Sequence, residues 1–281
     1  MKWRGRRQSS NVDDRRASGG GVGKGLGLAG ILVVAAITLM SGGDFMDVIM
    51  NVASNAPAQV QEYKPTQEEE DLAEFVKVVF ADTEDVWTDL FEQYGKTYEY
   101  PRLVIFRDSV QSGCGFASAQ TGPFYCPADK SVYIDLSFYN ELKNRFGASG
   151  DFAMAYVVAH EVGHHVQNLL GILDQVKAQQ AKLDKVRANE LNVRLELQAD
   201  YLAGVWANRV DGMGYLDHGD IDEAMNAASA IGDDTIQKQA QGYVVPDSFT
   251  HGTSEQRSRW LYKGYKTGDL SEWDSFSANS L

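Results

Sequence analysis

The stretch from Phe152 to His165 constrains this 281-residue chain more than any other. Phe152-Ala-Met-Ala-Tyr-Val-Val-Ala159 is nearly all apolar and runs straight into His160-Glu161-Val162-Gly163-His164-His165. A helix of that composition is buried, so its polar residues need partners. His160 and His164 stand four apart, on one helical face, where both rings reach a single ion. Glu161 is rotated about a third of a turn away, off the ligand side, where it can hold a water at the metal. This is the H-E-x-x-H arrangement of zinc sites. Of five histidines in the chain, three fall in these six residues. The competing reading is a pair of core histidines satisfied by carbonyls. His165 points to another side and reads as a packing or supporting residue.

Zinc with three protein ligands and one open position needs a third donor. Glu196-Leu-Gln-Ala-Asp200 supplies the best candidate, because Glu196 and Asp200 again share a helical face within an inward-packing run. Two buried carboxylates on one stripe repel unless a cation or an N–H donor satisfies them. Glu196 as ligand and Asp200 as the acceptor of a ligand imidazole's free N–H resolve both demands. The bland alternative is a solvated helix face.

Charge divides the chain. Residues 1–24 carry seven Lys/Arg against two acids, whereas the whole protein has a net charge of -13. An acidic body argues against tracking a phosphate backbone, so no nucleic-acid partner is expected. Residues 1–18 are basic and polar and Gly19–Gly27 is glycine-rich, so neither piece is expected to bury a core. Gly25 to Gly43 is an uncharged run of 19 residues, about the length that spans a bilayer. It reads as an uncleaved signal anchor, with a cleaved signal peptide as the alternative. The flanking cations would keep residues 1–24 cytoplasmic and place the body across the membrane. Residues 44–65 read as a linker and 66–281 as one α+β domain.

Within that domain, Thr66-Gln-Glu-Glu69 is a capping box opening a helix that continues toward Gly95. Leu103–Phe106 and Val132–Leu136 read as strands, separated by a long loop holding Cys114 and Cys126. If the body lies outside the cytoplasm, those thiols persist as a disulfide; buried free thiols are the alternative. Helices are expected from Asp151 as cap to Leu170, from Ile172 to about Val210 with a break near Ala188-Asn189, over Asp220–Ile231, and over Ser254–Tyr262. Tyr133 and Asp135 show ordinary strand alternation; were their strand an edge, a peptide could pair with it.

The pairing of His160-Glu-x-x-His164 with Glu196-x-x-Ala-Asp200 resembles the gluzincin metallopeptidases. The chain is similar, nearly end to end, to the neutral zinc metallopeptidase family of bacterial inner-membrane proteins. The likeness rests on Trp3-x-Gly-Arg-Arg7, Asn11-Val-x-Asp-Arg-Arg16, Gly122-Pro-Phe-Tyr-Cys-Pro127, the His160–His165 run, the Glu196/Asp200 pair and His251-Gly-Thr-Ser-Glu-Gln-Arg257. The resemblance implies a zincin-like, mostly helical domain with a small sheet behind one transmembrane helix, anchored in the inner membrane with the domain periplasmic. It further implies one Zn2+ per chain on His160, His164 and Glu196, Glu161 as general base, Asp200 behind the ligands, and a peptide or protein substrate. His251 or Arg257 could stabilise an oxyanion. The reading from another class is a membrane-tethered chaperone or assembly module that keeps zinc for stability only.

Overall fold

The computed structural model describes residues 1–18 and 63–281. The capping box forms as expected: the Glu69 N–H donates to the Thr66 hydroxyl at 3.2 Å and the Thr66 N–H to the Glu69 carboxylate at 2.8 Å. It opens α1 (Gln67–Gln93). Strands β1 (Val12–Asp14), β2 (Arg102–Phe106), β3 (Ser109–Ser112), β4 (Gly115–Ser118), β5 (Phe124–Cys126) and β6 (Ser131–Asp135) follow in chain order, β1 preceding α1. Four of them make one sheet in the order β1-β2-β6-β5, parallel except for β5 against β6. Leu103, Ile105, Val132 and Ile134 face the helical core, while Val104, Phe106 and Tyr133 meet Val110 and Ala117 of the β3–β4 hairpin. Burial on both faces leaves β2 and β6 without polar alternation. The hairpin and β5 stand where only a loop was expected, and the Cys114–Cys126 disulfide ties the hairpin turn to β5. Because β6 lies between β2 and β5, it is not an edge and cannot pair with a peptide; β5 is the free edge on that side.

Seven more helices follow: α2 (Ser137–Asn144), α3 (Asp151–Leu169), α4 (Ile172–Gln180), α5 (Lys185–Gly212), α6 (Asp220–Ala230), α7 (Asp233–Gln241) and α8 (Ser254–Thr267). The break in the long helical run falls at residues 181–184, not near Ala188. Asp184 sets it by capping α5, accepting from the Arg187 N–H at 3.0 Å. Gly150, not Asp151, occupies the cap of α3, and α7 had no counterpart in the sequence reading.

Helix α3 is buried on nearly every side and sits at the centre. Its Gly163 lets α5 approach, since a Cβ there would lie 3.0 Å from the Ala199 carbonyl oxygen. Helices α5 and α8 cross closer still: a Cβ on Gly264 would lie 2.0 Å from the Tyr201 carbonyl oxygen, and one on Gly204 2.1 Å from that of Leu261. Both obstacles are backbone, so neither can step aside. Gly264→Ala is expected to cost about 3 kcal/mol or more by forcing the helices apart. A thermal unfolding midpoint equal to wild type would contradict that crossing.

Residues 1–18 are not a solvated tail. Met1 and Trp3 are buried, Trp3 meets Phe75 edge-on at 5.6 Å, and β1 adds to the sheet beside β2. The basic residues find acids along α1: Arg4 with Asp71, Arg6 with Asp82, Arg7 with Glu84 and Asp85. Matched charge and two apolar anchors are what the composition argument left out. The Met1 amine lies 2.8 Å from Asp151 and 3.4 Å from Asp220. Arg16 and Tyr63, at the two ends of the described segments, both reach Glu69. These contacts pack residues 1–18 against the rest of the described chain. The anchor expected over 25–43 and most of the 44–65 linker lie outside the described residues. Among those described, no helix is long and apolar enough to cross a membrane.

Candidate metal centre

Helices α3 and α5 lie side by side through Gly163 and Ala199, and this contact brings the two sequence motifs together. Glu196 Oε2 stands 3.2 Å from His160 Nε2 and 3.3 Å from His164 Nε2. A tetrahedral ion bonded at about 2.0–2.1 Å has ligand atoms about 3.3 Å apart, so this spacing fits zinc. The three residues form a group whose donor atoms lie within 4.8 Å of one another.

Their far sides are fixed. His160 Nδ1 donates to Asp200 Oδ1 at 2.8 Å, leaving Nε2 free to ligate. His164 Nδ1 donates to Gln167 Oε1 at 2.8 Å. The Gln167 amide nitrogen in turn donates to the Leu195 carbonyl at 2.8 Å and to Gln198 at 3.1 Å, so its oxygen must face His164. Both imidazoles are thereby held with lone pairs converging on one point, as a metal requires. Asp200 is fully buried and accepts four bonds: from His160, from the Tyr156 hydroxyl at 2.6 Å, and from Arg257 at 2.9 and 3.1 Å. Burial alone would raise its pKa, yet Arg257 and His160 hold it down at about 2. Burial opposes charging His160 as well, but Asp200 and Glu196 pull it up to about 10. The site therefore holds a positive charge firmly, and a proton and a divalent cation compete for it.

Arg257 does not face the cavity as a free donor. Its guanidinium is committed to Asp200, to the Tyr156 hydroxyl at 2.9 Å and to the Ile231 carbonyl at 3.3 Å. Of the two sequence candidates for an oxyanion donor, only His251 keeps a half-exposed ring on the cavity wall. Burial works against charging His251, whereas Asp233 and Glu196 favour it, Arg257 opposes it, and the net shift is upward. His165 is no ligand. Its Nε2 donates to the Glu99 carbonyl at 2.7 Å, its Nδ1 accepts from the Tyr125 hydroxyl at 2.9 Å, and burial lowers its pKa to about 4. It stitches β5 to the metal helix through Tyr125.

The cavity above the donors has a volume of 510 Å3. Glu161 lines it together with the three donors. One wall is the Gln120–Tyr125 segment; Phe138, Phe146, Val157, Ile231 and Ile236 provide apolar surface. Sequence reasoning missed Tyr156 and Gln167, although both lie one helical turn from a ligand histidine, where spacing could have found them. Nothing in the sequence signalled Asp233, whose contact with His251 crosses a loop.

The family described as "Putative neutral zinc metallopeptidase" matches residues 1–276. The chain belongs to this family. It is 48% identical to the uncharacterized protein YpfJ of Escherichia coli (strain K12) over 98% of this chain and 99% of that one. Similarity extends to the uncharacterized protein Mb2605 of Mycobacterium bovis, 45% identical over 70% of this chain and 68% of the relative. No solved structure matches the chain. The family membership fits the donor set, since two imidazoles and a carboxylate leave zinc one open position.

Proposed function

We propose that this protein is a zinc-dependent peptidase whose centre is His160, His164 and Glu196, with Glu161 as general base. The observation that carries the reading is the convergence of both Nε2 atoms on one Glu196 oxygen at 3.2 and 3.3 Å. Zinc held there would acidify water and polarise a scissile carbonyl. Glu161 takes the proton of the attacking water and returns it to the leaving amine. His251 donates to the oxygen that becomes an oxyanion as the carbonyl is attacked. Asp200 keeps His160 oriented, and Arg257 with Tyr156 keeps Asp200 in place. A peptide would lie extended along the free edge of β5, because Phe124 and Tyr125 line the same cavity. A zinc-stabilised scaffold without hydrolysis would need neither a base at Glu161 nor an open cavity.

The disulfide supports placing the folded body in an oxidising, extracytoplasmic compartment, attached through residues 25–43 to the inner membrane.

The test is metal content beside hydrolysis. Purified full-length protein is expected to hold one zinc per chain and to cleave casein. A chelator should stop cleavage and added zinc restore it. Zinc-loaded protein that cleaves neither casein nor a library of unstructured peptides would count against the peptidase reading.

A further inference from the structure

Asp233 opens α7, where a first-turn acid would ordinarily face its own helix amides. It does not; no side chain caps this helix. Instead its Oδ2 accepts three consecutive backbone N–H groups from another segment: Thr250 at 2.7 Å, His251 at 2.6 Å and Gly252 at 3.0 Å. The Asp233 N–H donates back to the Gly252 carbonyl at 2.9 Å. Gly252 adopts φ +95, which lets successive amides turn toward one oxygen, and a Cβ there would crowd Val193 and Gln256 at 3.2 Å. The other oxygen, Oδ1, faces His251 Nδ1 at 3.4 Å, and the Thr250 hydroxyl lies 3.0 Å from the same nitrogen. The next residue extends the clamp, since Asp234 accepts from the Ser254 N–H at 2.7 Å and hydroxyl at 2.8 Å. Two successive acids therefore grip both ends of the His251-Gly-Thr-Ser254 segment.

We propose that Asp233 is a positioning residue: it fixes the backbone that carries His251 and turns the ring so that Nδ1 faces Asp233 and Nε2 is presented to the metal cavity. The inference rests on the peptidase reading with His251 as oxyanion donor, and it adds a residue eighteen positions upstream that acts only through that histidine.

The experiment compares Asp233→Asn, His251→Gln and the double variant in full-length, zinc-loaded protein, reading kcat, KM and zinc content. Removing one oxyanion donor typically costs about 10²–10³ in kcat, so His251→Gln should fall in that range. Asp233→Asn should lower kcat by about 10-fold or more with KM and zinc unchanged, because the amide keeps one acceptor oxygen but reverses the partner offered to Nδ1. The double variant should be no slower than His251→Gln alone. Additive losses, or wild-type kcat in Asp233→Asn, would overturn the proposal. Should Asp233→Asn fail to fold, Asp233→Glu, with its carboxylate displaced by one methylene, carries the same comparison. Wild-type kcat in His251→Gln would remove the donor assignment and this inference with it. If wild type cleaves nothing, the peptidase reading has failed separately. Amide hydrogen exchange at residues 250–252 then decides the positioning, with exchange at least about 10-fold faster in Asp233→Ala supporting it and unchanged exchange refuting it.

Discussion

Glu161→Gln is expected to keep one zinc per chain and to lose hydrolysis by about 10³-fold or more, within the range assigned to general acid–base catalysis. The two halves of that result have separate causes. Glu161 lines the cavity but is not among the three residues whose donor atoms converge, so replacing it leaves the metal ligands intact. An amide has nearly the shape of the carboxylate, so packing at this largely buried position is preserved. What the amide lacks is the ability to accept a proton from water. Measured side by side, zinc content and casein cleavage should part company in this variant, which a change at a metal ligand would not do. Equal cleavage by the variant and wild type would remove Glu161 from the mechanism.

Glu196→Ala is expected to lose both metal and activity. Two imidazoles leave zinc short of its usual three protein donors. The substitution also takes away the carboxylate between the two Nε2 atoms. Asp200→Ala should behave differently, because Asp200 is not among the three converging donors and instead accepts from His160, Tyr156 and Arg257. Its removal frees the His160 ring to rotate and leaves the Arg257 guanidinium buried without its carboxylate. Zinc affinity should fall by about 10–100-fold, the usual consequence of losing a ligand's orienting partner. Competition against a chelating dye measures both. Wild-type zinc affinity in Glu196→Ala would move the third ligand elsewhere.

The candidate metal centre was legible in the sequence because helical spacing alone puts Glu196 and Asp200 on one face and His160 and His164 on another. What spacing does not give is the partner of each far nitrogen. Gln167 and Tyr156 were within reach of the same periodic argument, one turn from His164 and His160. Arg257 was seen as one of two candidate oxyanion donors, but its pairing with Asp200 appears only once the α5–α8 crossing at Gly204 and Gly264 is known. The hairpin and β5 escaped because their strands are three or four residues long and sit among turn residues. Composition misjudged residues 1–18 outright: a segment poor in apolar residues can still fold when a partner helix supplies the opposite charges.

That last point bears on how the domain is made and how it can be cut. Strand β1 precedes its partner β2 by some ninety residues, so during synthesis the arm must wait for its place in the sheet. A shortened protein beginning after residue 62, an obvious choice for avoiding the uncharged run, would lack Trp3, the arginines matched along α1, and β1 itself. Strand β2 would become an open edge, with the Leu103 N–H no longer bonded to the Asn11 carbonyl, and bare edges invite pairing between copies. Joining residue 18 to residue 63 by a short polar bridge, in place of deleting everything upstream, would preserve the sheet and the helical body as one unit.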